Sequence, residues 1–115
     1  MHEYSIVASL INVCEKEADK QHAKAIKTIV LKVGRLSGIE THFLTQCFDV
    51  FKEDTLCANA TLILELCDVI IECANCHEQS IIHNNNFFCP KCHSDQTTMV
   101  GGQELLVQSI EIVEG

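Results

Sequence analysis

The chain has 115 residues and a mass of 12.8 kDa, which allows one domain with a hydrophobic core and a small added module, but not two full-sized domains. The formal charge of −8, from 16 acidic and 8 basic residues, argues against nucleic acid as a partner, because binding to a phosphate backbone depends on lysine and arginine. No apolar run reaches the roughly 18 residues of a membrane span and no signal-peptide pattern is present, so we expect a cytoplasmic protein that does not associate with membranes.

The amino-terminal part is predicted to form a helix followed by a strand. Apolar residues recur every three or four positions from Ile6 to Ala18, which predicts an amphipathic helix over about Tyr4–Lys20. The segment Ile26–Val33 is rich in β-branched residues and places Ile29, Leu31 and Val33 on one alternating face. This segment is therefore predicted to be a strand that ends at Gly34.

A second helix is predicted next. Ser37 and Glu40 have the spacing of a capping box, in which a hydroxyl and a carboxylate three residues apart satisfy free amides at a helix start. The apolar residues that follow continue the helical spacing to about Thr55.

Two further strands are predicted in the second half of the chain. The nearly continuous apolar run Thr61–Glu72 is predicted to be one strand, with Leu62, Leu64 and Leu66 on one face. The segment Glu104–Ile112 alternates with one change of face and is predicted to be the last strand.

The order of these elements predicts an α+β fold. It consists of a small mixed three-stranded sheet with two amphipathic helices, and it carries an inserted cysteine-rich module. The edges of the module appear as changes in composition near Ile71 and at Gly101-Gly102. We predict a first domain of residues 1–70 plus 98–115 and an inserted domain of residues 71–97.

The inserted module contains two Cys-x2-Cys pairs, Cys73/Cys76 and Cys89/Cys92. A two-residue spacer lets both sulfurs of one turn reach the same ion, and a second such turn completes a tetrahedron, which indicates a zinc ribbon. The 12 residues between the pairs are enough for a hairpin that turns at the asparagine run, residues 84–86. In so small a module the metal would supply most of the folding free energy, on the order of 10 kcal/mol or more.

Other assignments of the cysteines stay open. A tetrahedral four-sulfur site also suits iron, and the Cys89–Cys92 sequence, Cys-Pro-Lys-Cys, has the form of a rubredoxin knuckle. A disulfide scaffold is disfavoured, because the other four cysteines are scattered through apolar segments, where free cysteine behaves as a small buried hydrophobe. These four are Cys14, Cys47, Cys57 and Cys67.

His77 and His93 each follow the second cysteine of a pair directly. Both are candidates for a hydrogen bond to a zinc ligand or for replacing a thiolate as the pH falls, since imidazole titrates near pH 6.5. The simpler interpretation is that both face solvent beside the turns. The remaining histidines have no partner at ligand spacing and are expected at the surface: His22, His42 and His83.

The amino terminus offers nitrogen ligands. His2 is bulky, so we expect Met1 to be retained, and the amine of Met1, the amide nitrogen of His2 and the ring of His2 can then chelate one ion in a plane. Such a tetragonal nitrogen set suits Ni(II) and Cu(II). Glu3 adds a backbone amide or a carboxylate. Taken alone the pattern is common, and Glu40 is more simply a helix-capping residue.

Several of these features together resemble one family. Met1-His2-Glu3, the sequence VGRLSGIE over Val33–Glu40, the helix with Cys47-Phe48-Asp49, and the paired cysteines ending in Cys89-Pro90-Lys91-Cys92-His93 are similar to the HypA/HybF family of hydrogenase nickel incorporation proteins. The similarity covers essentially the whole chain.

The resemblance implies a nickel metallochaperone in which a nickel-binding domain carries an inserted zinc domain. It implies Ni(II) at Met1, His2 and Glu3 with Glu40 nearby, and Zn(II) at the four paired cysteines. It further implies, as partners, the maturation GTPase HypB and the large-subunit precursor of a nickel-iron hydrogenase. In some relatives the urease system is also served, so urease accessory proteins are further candidates.

Two other classes of function stay open on the residues alone. A zinc-ribbon adaptor for other macromolecules would need no transported metal, and a rubredoxin-like electron carrier would hold iron in place of zinc. An enzyme is disfavoured, because the sequence has no glycine-rich phosphate loop, no nucleophile with a paired base and no open three-ligand zinc site. We therefore expect a protein without catalytic activity.

Overall fold

The computed structural model of the chain describes residues 2–114, apart from the side chain of His2. The helices are α1 (His2–Lys20) and α2 (Thr41–Phe51). The strands are β1 (Ala23–Gly34), β2 (Thr61–Cys67), β3 (Val69–Cys73), β4 (Gln79–Ile82), β5 (Thr97–Gly101) and β6 (Leu105–Glu114). Among the described residues, neither helix is long and apolar enough to cross a membrane.

The chain divides into two compact units. The first unit consists of residues 2–32, Ile39–Glu65 and 106–114, and the second consists of Val33–Gly38 and Leu66–Leu105. The second unit therefore contains the predicted insert, residues 71–97, together with flanking residues and a separate segment. The assignment of metal functions to domains 1–70 plus 98–115 and 71–97 stays a prediction.

In the first unit, α1 and α2 pack against each other and supply much of the apolar interior. The predicted face of α1 is confirmed, because it is buried at every third or fourth residue: Val7, Leu10, Ile11, Cys14 and Ala18. Helix α2 buries Leu44, Cys47 and Phe48. The helix α1 starts two residues before the predicted Tyr4.

The capping box predicted for α2 is wrong. Ser37 donates its amide to the carbonyl of Gly34, and Gly38 has a φ of 82°, so the chain is still turning at these residues. Glu40 is the N-cap, with an extended backbone and a carboxylate that accepts hydrogen bonds from the amides of His42 and Phe43.

The predicted end of α2 near Thr55 is also too late. The helix ends at Phe51, and Lys52 caps it. Asp54 has a φ of 63°, in the left-handed region, so the right-handed helix cannot continue through this residue. Apolar spacing alone did not reveal this turn.

The sheet of the fold class is confirmed as a three-stranded sheet in the order β2-β1-β6. Arg35, just beyond the end of β1, donates its amide to Cys67 at the end of β2, so these two strands run parallel. Gly34, the last residue of β1, donates to Glu104 just before β6, so β6 runs antiparallel to β1. The predicted inward face of β1 is buried: Ile29, Leu31 and Val33.

The single strand predicted over Thr61–Glu72 is two strands. Asp68 separates β2 from β3, and these strands belong to different sheets. Leu66 is 68% exposed and does not share the interior with the half-buried Leu62 and Leu64. Leu106 at the start of the edge strand β6 is likewise exposed, whereas Ile110 and Ile112 farther along this strand are half-buried.

The second unit is built on a sheet in the order β4-β3-β5, with β3 antiparallel to both neighbours. Its buried cluster is small: Val69, Ile71 and Ile82, with Leu36, Phe87 and Met99 packed against them. The hairpin was predicted to turn at residues 84–86, but β3 pairs with β4, so the chain turns earlier, at the first cysteine pair. The asparagine run follows β4 as an irregular loop.

Two glycines of the second unit allow a close backbone approach. A Cβ atom on Gly34 would lie 2.3 Å from the carbonyl carbon and oxygen of Gly102. Gly102 itself has a φ of 116°, and a Cβ there would lie 2.9 Å from the Cα of Val69. Leu36 donates its amide to the Gly102 carbonyl at 2.7 Å, so this contact fastens the segment Val33–Gly38 into the unit.

Candidate metal centres

The four paired cysteines converge at the end of β3. Their Sγ atoms all lie within 4.8 Å of one another, and the pairs Cys73–Cys92 and Cys76–Cys89 are each separated by 3.6 Å. A zinc–sulfur distance of about 2.3 Å requires tetrahedron edges of about 3.8 Å between sulfurs. The cluster therefore fits one tetrahedral metal ion, as the spacing of the pairs predicted.

The two cysteine turns share one backbone geometry. In the first, His77 donates its amide to the carbonyl of Cys73 at 2.9 Å, and in the second His93 donates to Cys89 at 2.8 Å. The φ angles of His77 and His93 are 62° and 64°, a region that few non-glycine residues adopt. Both histidines are exposed and close their turns through the backbone, a role that their identical positions after the second cysteine could have indicated.

The residue before the second cysteine of each pair reaches across the site. The side-chain amide of Asn75 donates to the Sγ of Cys92 at 3.5 Å. The ammonium group of Lys91 lies 3.1 Å from a carboxylate oxygen of Glu78. Each turn is thus connected to the opposite one by a side chain, and no pattern in the sequence indicated either contact.

The sulfurs differ in how readily they lose a proton. Hydrogen bonds from the Asn75 side chain and the Ser94 backbone lower the pKa of Cys92 to about 6. The backbone amide of Glu78 favours a Cys76 thiolate, but partial burial and the neighbouring sulfurs outweigh it and raise the pKa of Cys76 to about 12. A divalent cation would supply the positive charge that lets all four sulfurs be thiolates at neutral pH.

The predicted amino-terminal site is described only in part. Met1 and the side chain of His2 lie outside the described residues. Glu3 is buried, and its carboxylate accepts a hydrogen bond from the backbone amide of Glu40 at 3.1 Å. The carboxylate of Glu40 is exposed and caps α2, so the two glutamates meet through the Glu3 side chain and the Glu40 backbone.

A second contact fixes the same turn of α1. The ring of Tyr4 packs edge-on against the ring of Phe51, with centroids 4.7 Å apart and an interplanar angle of 62°. Glu3 and Tyr4 therefore attach the first turn of α1 to residues at both ends of α2. In the sequence, the predicted nickel ligands Met1 and His2 directly precede these two anchored residues.

The other histidines and cysteines agree with the structural roles predicted for them. His22, His42 and His83 are exposed. Cys14, Cys47 and Cys57 are buried, and Cys67 is half-buried. Burial, and then the nearby Cys57, raise the pKa of Cys14 to about 11, so its thiol stays protonated as part of the apolar interior.

Comparison with known proteins finds one family. Residues 1–112 match the family model described as hydrogenase/urease nickel incorporation, metallochaperone, hypA. The hydrogenase maturation factor HypA of Campylobacter jejuni is 44% identical over 106 residues, which are 91% of this chain and 93% of that protein. The HypA of Aquifex aeolicus is 38% identical over 112 residues, 97% of each chain.

Solved structures of this family share the fold. The solution structure of the Ni metallochaperone HypA from Helicobacter pylori superposes with a TM-score of 0.73 at 31% identity, covering 98% of both chains. A second solution structure of a HypA protein gives a TM-score of 0.78 at 32% identity, covering 100% of this chain and 98% of the other.

Proposed function

Because the chain belongs to the HypA family of nickel incorporation metallochaperones, we propose that Met1, His2 and Glu3 bind Ni(II) as cargo, with Glu40 beside them. The chain is a nickel metallochaperone of hydrogenase maturation that uses nickel and zinc. This membership favours the metallochaperone over the zinc-ribbon adaptor and the rubredoxin-like carrier.

The observation that carries the nickel site is the hydrogen bond from the Glu40 amide to the Glu3 carboxylate. It supports the proposal because it holds the residue next to the chelating groups in a defined position. The amine of Met1, the amide nitrogen of His2 and its ring would supply three nitrogen donors to a square-planar Ni(II) ion. Glu40 contributes by positioning Glu3 and by offering an exposed carboxylate near the chain end.

The two sites suit different tasks. Nitrogen ligands at a chain end form an open site, and such a site can release its ion stepwise to the ligands of a partner. Four thiolates on a closed tetrahedron leave no position for an incoming ligand, so Zn(II) stays with Cys73, Cys76, Cys89 and Cys92. Nickel is transported and zinc is structural.

The histidines beside the zinc turns are kept as candidates for ligand exchange. His77 and His93 are exposed and follow a zinc ligand directly, so either ring could replace a thiolate as the solution becomes acidic. A zinc absorption-edge spectrum recorded at about pH 8 and about pH 6 tests this, since imidazole titrates between these values. An unchanged spectrum eliminates the exchange.

The partners follow from the maturation pathway. We propose that the maturation GTPase HypB cooperates in nickel delivery and that the hydrogenase large-subunit precursor receives the ion. Urease accessory proteins form a second route, which the hydrogenase/urease description of the family supports. The four paired thiols must stay reduced to hold zinc, which supports a cytoplasmic location, and a carrier of this kind needs no catalytic activity.

Calorimetric nickel titration tests the proposal. The wild-type protein should show one tight site per chain, and His2→Ala should weaken it by roughly 100-fold or more, because the ring and its chelate are lost. Zinc content should not change. The matched control is His83→Ala, since His83 is an exposed histidine of the second unit.

A second variant tests the terminal amine. One glycine added before Met1 moves the amine out of its chelate ring and should impair nickel binding as strongly as the His2 substitution. If the extended protein binds nickel like the wild type, the amine is not a ligand.

A further inference from the structure

The zinc cluster is not symmetric in its hydrogen bonds, although its two turns have the same backbone. Asn75 and Lys91 occupy the same place, directly before the second cysteine of each pair. The amide of Asn75 reaches the sulfur of Cys92 in the opposite turn, whereas the ammonium of Lys91 reaches the carboxylate of Glu78. One of these side chains therefore acts on a ligand atom and the other does not.

We propose that Asn75 donates a hydrogen bond to the Cys92 sulfur across the zinc site and thereby protects this ligand from electrophiles. This inference rests on zinc binding by the four paired cysteines. It does not depend on the nickel site.

The physical reason lies in the electrons of the thiolate. A zinc-bound sulfur keeps lone pairs that attack an electrophile, and a hydrogen bond to the sulfur draws on the same electron density and slows the attack. Cys92 is half-buried, so small reagents reach it and its burial alone does not protect it. Asn75 is itself exposed, which means that a substitution there leaves the small buried cluster of the unit intact.

The charge of the site adds to the effect. Four thiolates and one Zn(II) carry a net charge of about −2. The uncharged side-chain amide of Asn75 donates a hydrogen bond to this negatively charged cluster. Lys91 forms an ion pair with Glu78 instead. An aspartate at position 75 would keep the size of the side chain, remove its N–H groups and add a negative charge.

The test is alkylation of the zinc-loaded protein with iodoacetamide. The lone pair of a sulfur forms an S–C bond as iodide leaves, and the alkylated thioether no longer holds zinc. Mass spectrometry of peptides gives the rate at each cysteine, and a coloured chelator records zinc release. We expect Asn75→Asp and Asn75→Ala to raise the rate at Cys92 by about tenfold, in line with other hydrogen-bond partners of metal ligands.

The control separates the hydrogen bond from the added charge. Asn85→Asp introduces the same charge at an exposed asparagine of the same unit, and its alkylation should follow the wild type. Loss of zinc from both Asn75 variants during purification, with zinc retained by Asn85→Asp, would show that Asn75 is needed for metal binding itself and would overturn the proposal.

Three further outcomes overturn the proposal. These are a wild-type rate at Cys92 in both Asn75 variants, an equal rise in Asn85→Asp, and initial rates that rise equally at all four paired cysteines before zinc is released. A wild-type protein that purifies without zinc would instead refute the zinc assignment, so failure of the inference and failure of the zinc site are distinguishable.

Discussion

The two units of this chain are stabilised in different ways. The first has a continuous apolar interior to which two helices and a long strand contribute, with large side chains such as Phe48 and Ile29 almost fully buried. Among the described residues, the buried strand cluster of the second unit consists of Val69, Ile71 and Ile82, with three half-buried side chains packed against it. At roughly 1.5–3 kcal/mol for each large apolar side chain, this small cluster cannot offset the conformational entropy of the segments it orders.

We therefore propose that the chain uses burial in one unit and metal ligation in the other. Sulfur ligands organise the second unit because a bound ion contributes more free energy than its few apolar contacts. The first unit has an apolar interior of its own, so the nickel ion proposed at its chain end is not needed for folding and can serve as cargo.

Removing zinc should have the largest effect and should act on the second unit alone. Cys73→Ser, or treatment of the wild type with a strong chelator, should unfold the second unit, because the ion supplies on the order of 10 kcal/mol of its stability. Amide hydrogen exchange should show lost protection in β3–β5 and retained protection in α1 and β1. Equal loss of protection in both units would mean that the first unit also depends on zinc.

Truncation in the first unit should give the opposite pattern. Phe48→Ala removes the largest fully buried side chain and should lower the free energy of unfolding of the first unit by about 3–5 kcal/mol. Zinc content should be unchanged. The matched control is Phe88→Ala in the second unit, where the ring is 56% exposed and the cost should be within about 0.5 kcal/mol.

Removing the N-cap of α2 should have a smaller effect on the first unit. Glu40→Ala removes the carboxylate that accepts from two amides and should cost about 1 kcal/mol, measured by thermal or denaturant unfolding. Glu40→Asp keeps a capping carboxylate and should lose less. An alanine variant as stable as the wild type would show that Glu40 has no structural role and would leave a purely nickel-linked one.

The smallest effect concerns the buried thiol of Cys14. Its pKa is raised to about 11, so the folded state holds the proton more tightly than the unfolded chain, and this contribution is present at neutral pH and lost as the pH rises through 11. Alkylation of native protein at about pH 8 should therefore be far slower at Cys14 than in denaturant. Equal rates would show that the site opens readily.

Much of the architecture could be predicted because burial follows sequence periodicity. Spacing alone indicated the buried face of α1, the inward residues of β1 and the convergence of the four paired cysteines. The division of the run Thr61–Glu72 into two strands could not be predicted from spacing. A nearly continuous apolar stretch fits one strand or two, and Asp68 alone separates β2 from β3. The short strands β4 and β5 were not predicted, because they form by pairing with β3 and leave no local pattern of their own.

The site was predictable where the chemistry depends on residue type and spacing alone. The convergence of Glu3 on the Glu40 amide, and of Asn75 on Cys92, joins residues 37 and 17 positions apart and leaves no local pattern. The prediction that Ser37 caps α2 was wrong. The chain turns at Gly38, and the helix begins only after Glu40, which is its N-cap. Long-range hydrogen bonds of this kind can be identified only from the folded structure.

The contact between Gly34 and Gly102 limits how the zinc-binding part can be exchanged between relatives. A transplant of residues 71–97 alone would omit Leu36, Val69 and the two glycines. It would also omit the rest of the segment Val33–Gly38, which spans the end of β1 and the following loop and belongs to the second unit. A chimaera should therefore carry residues 33–38 and 66–105 from the same parent. We expect functional recombinants between family members to take residues 33–38 and 66–105 together from one parent.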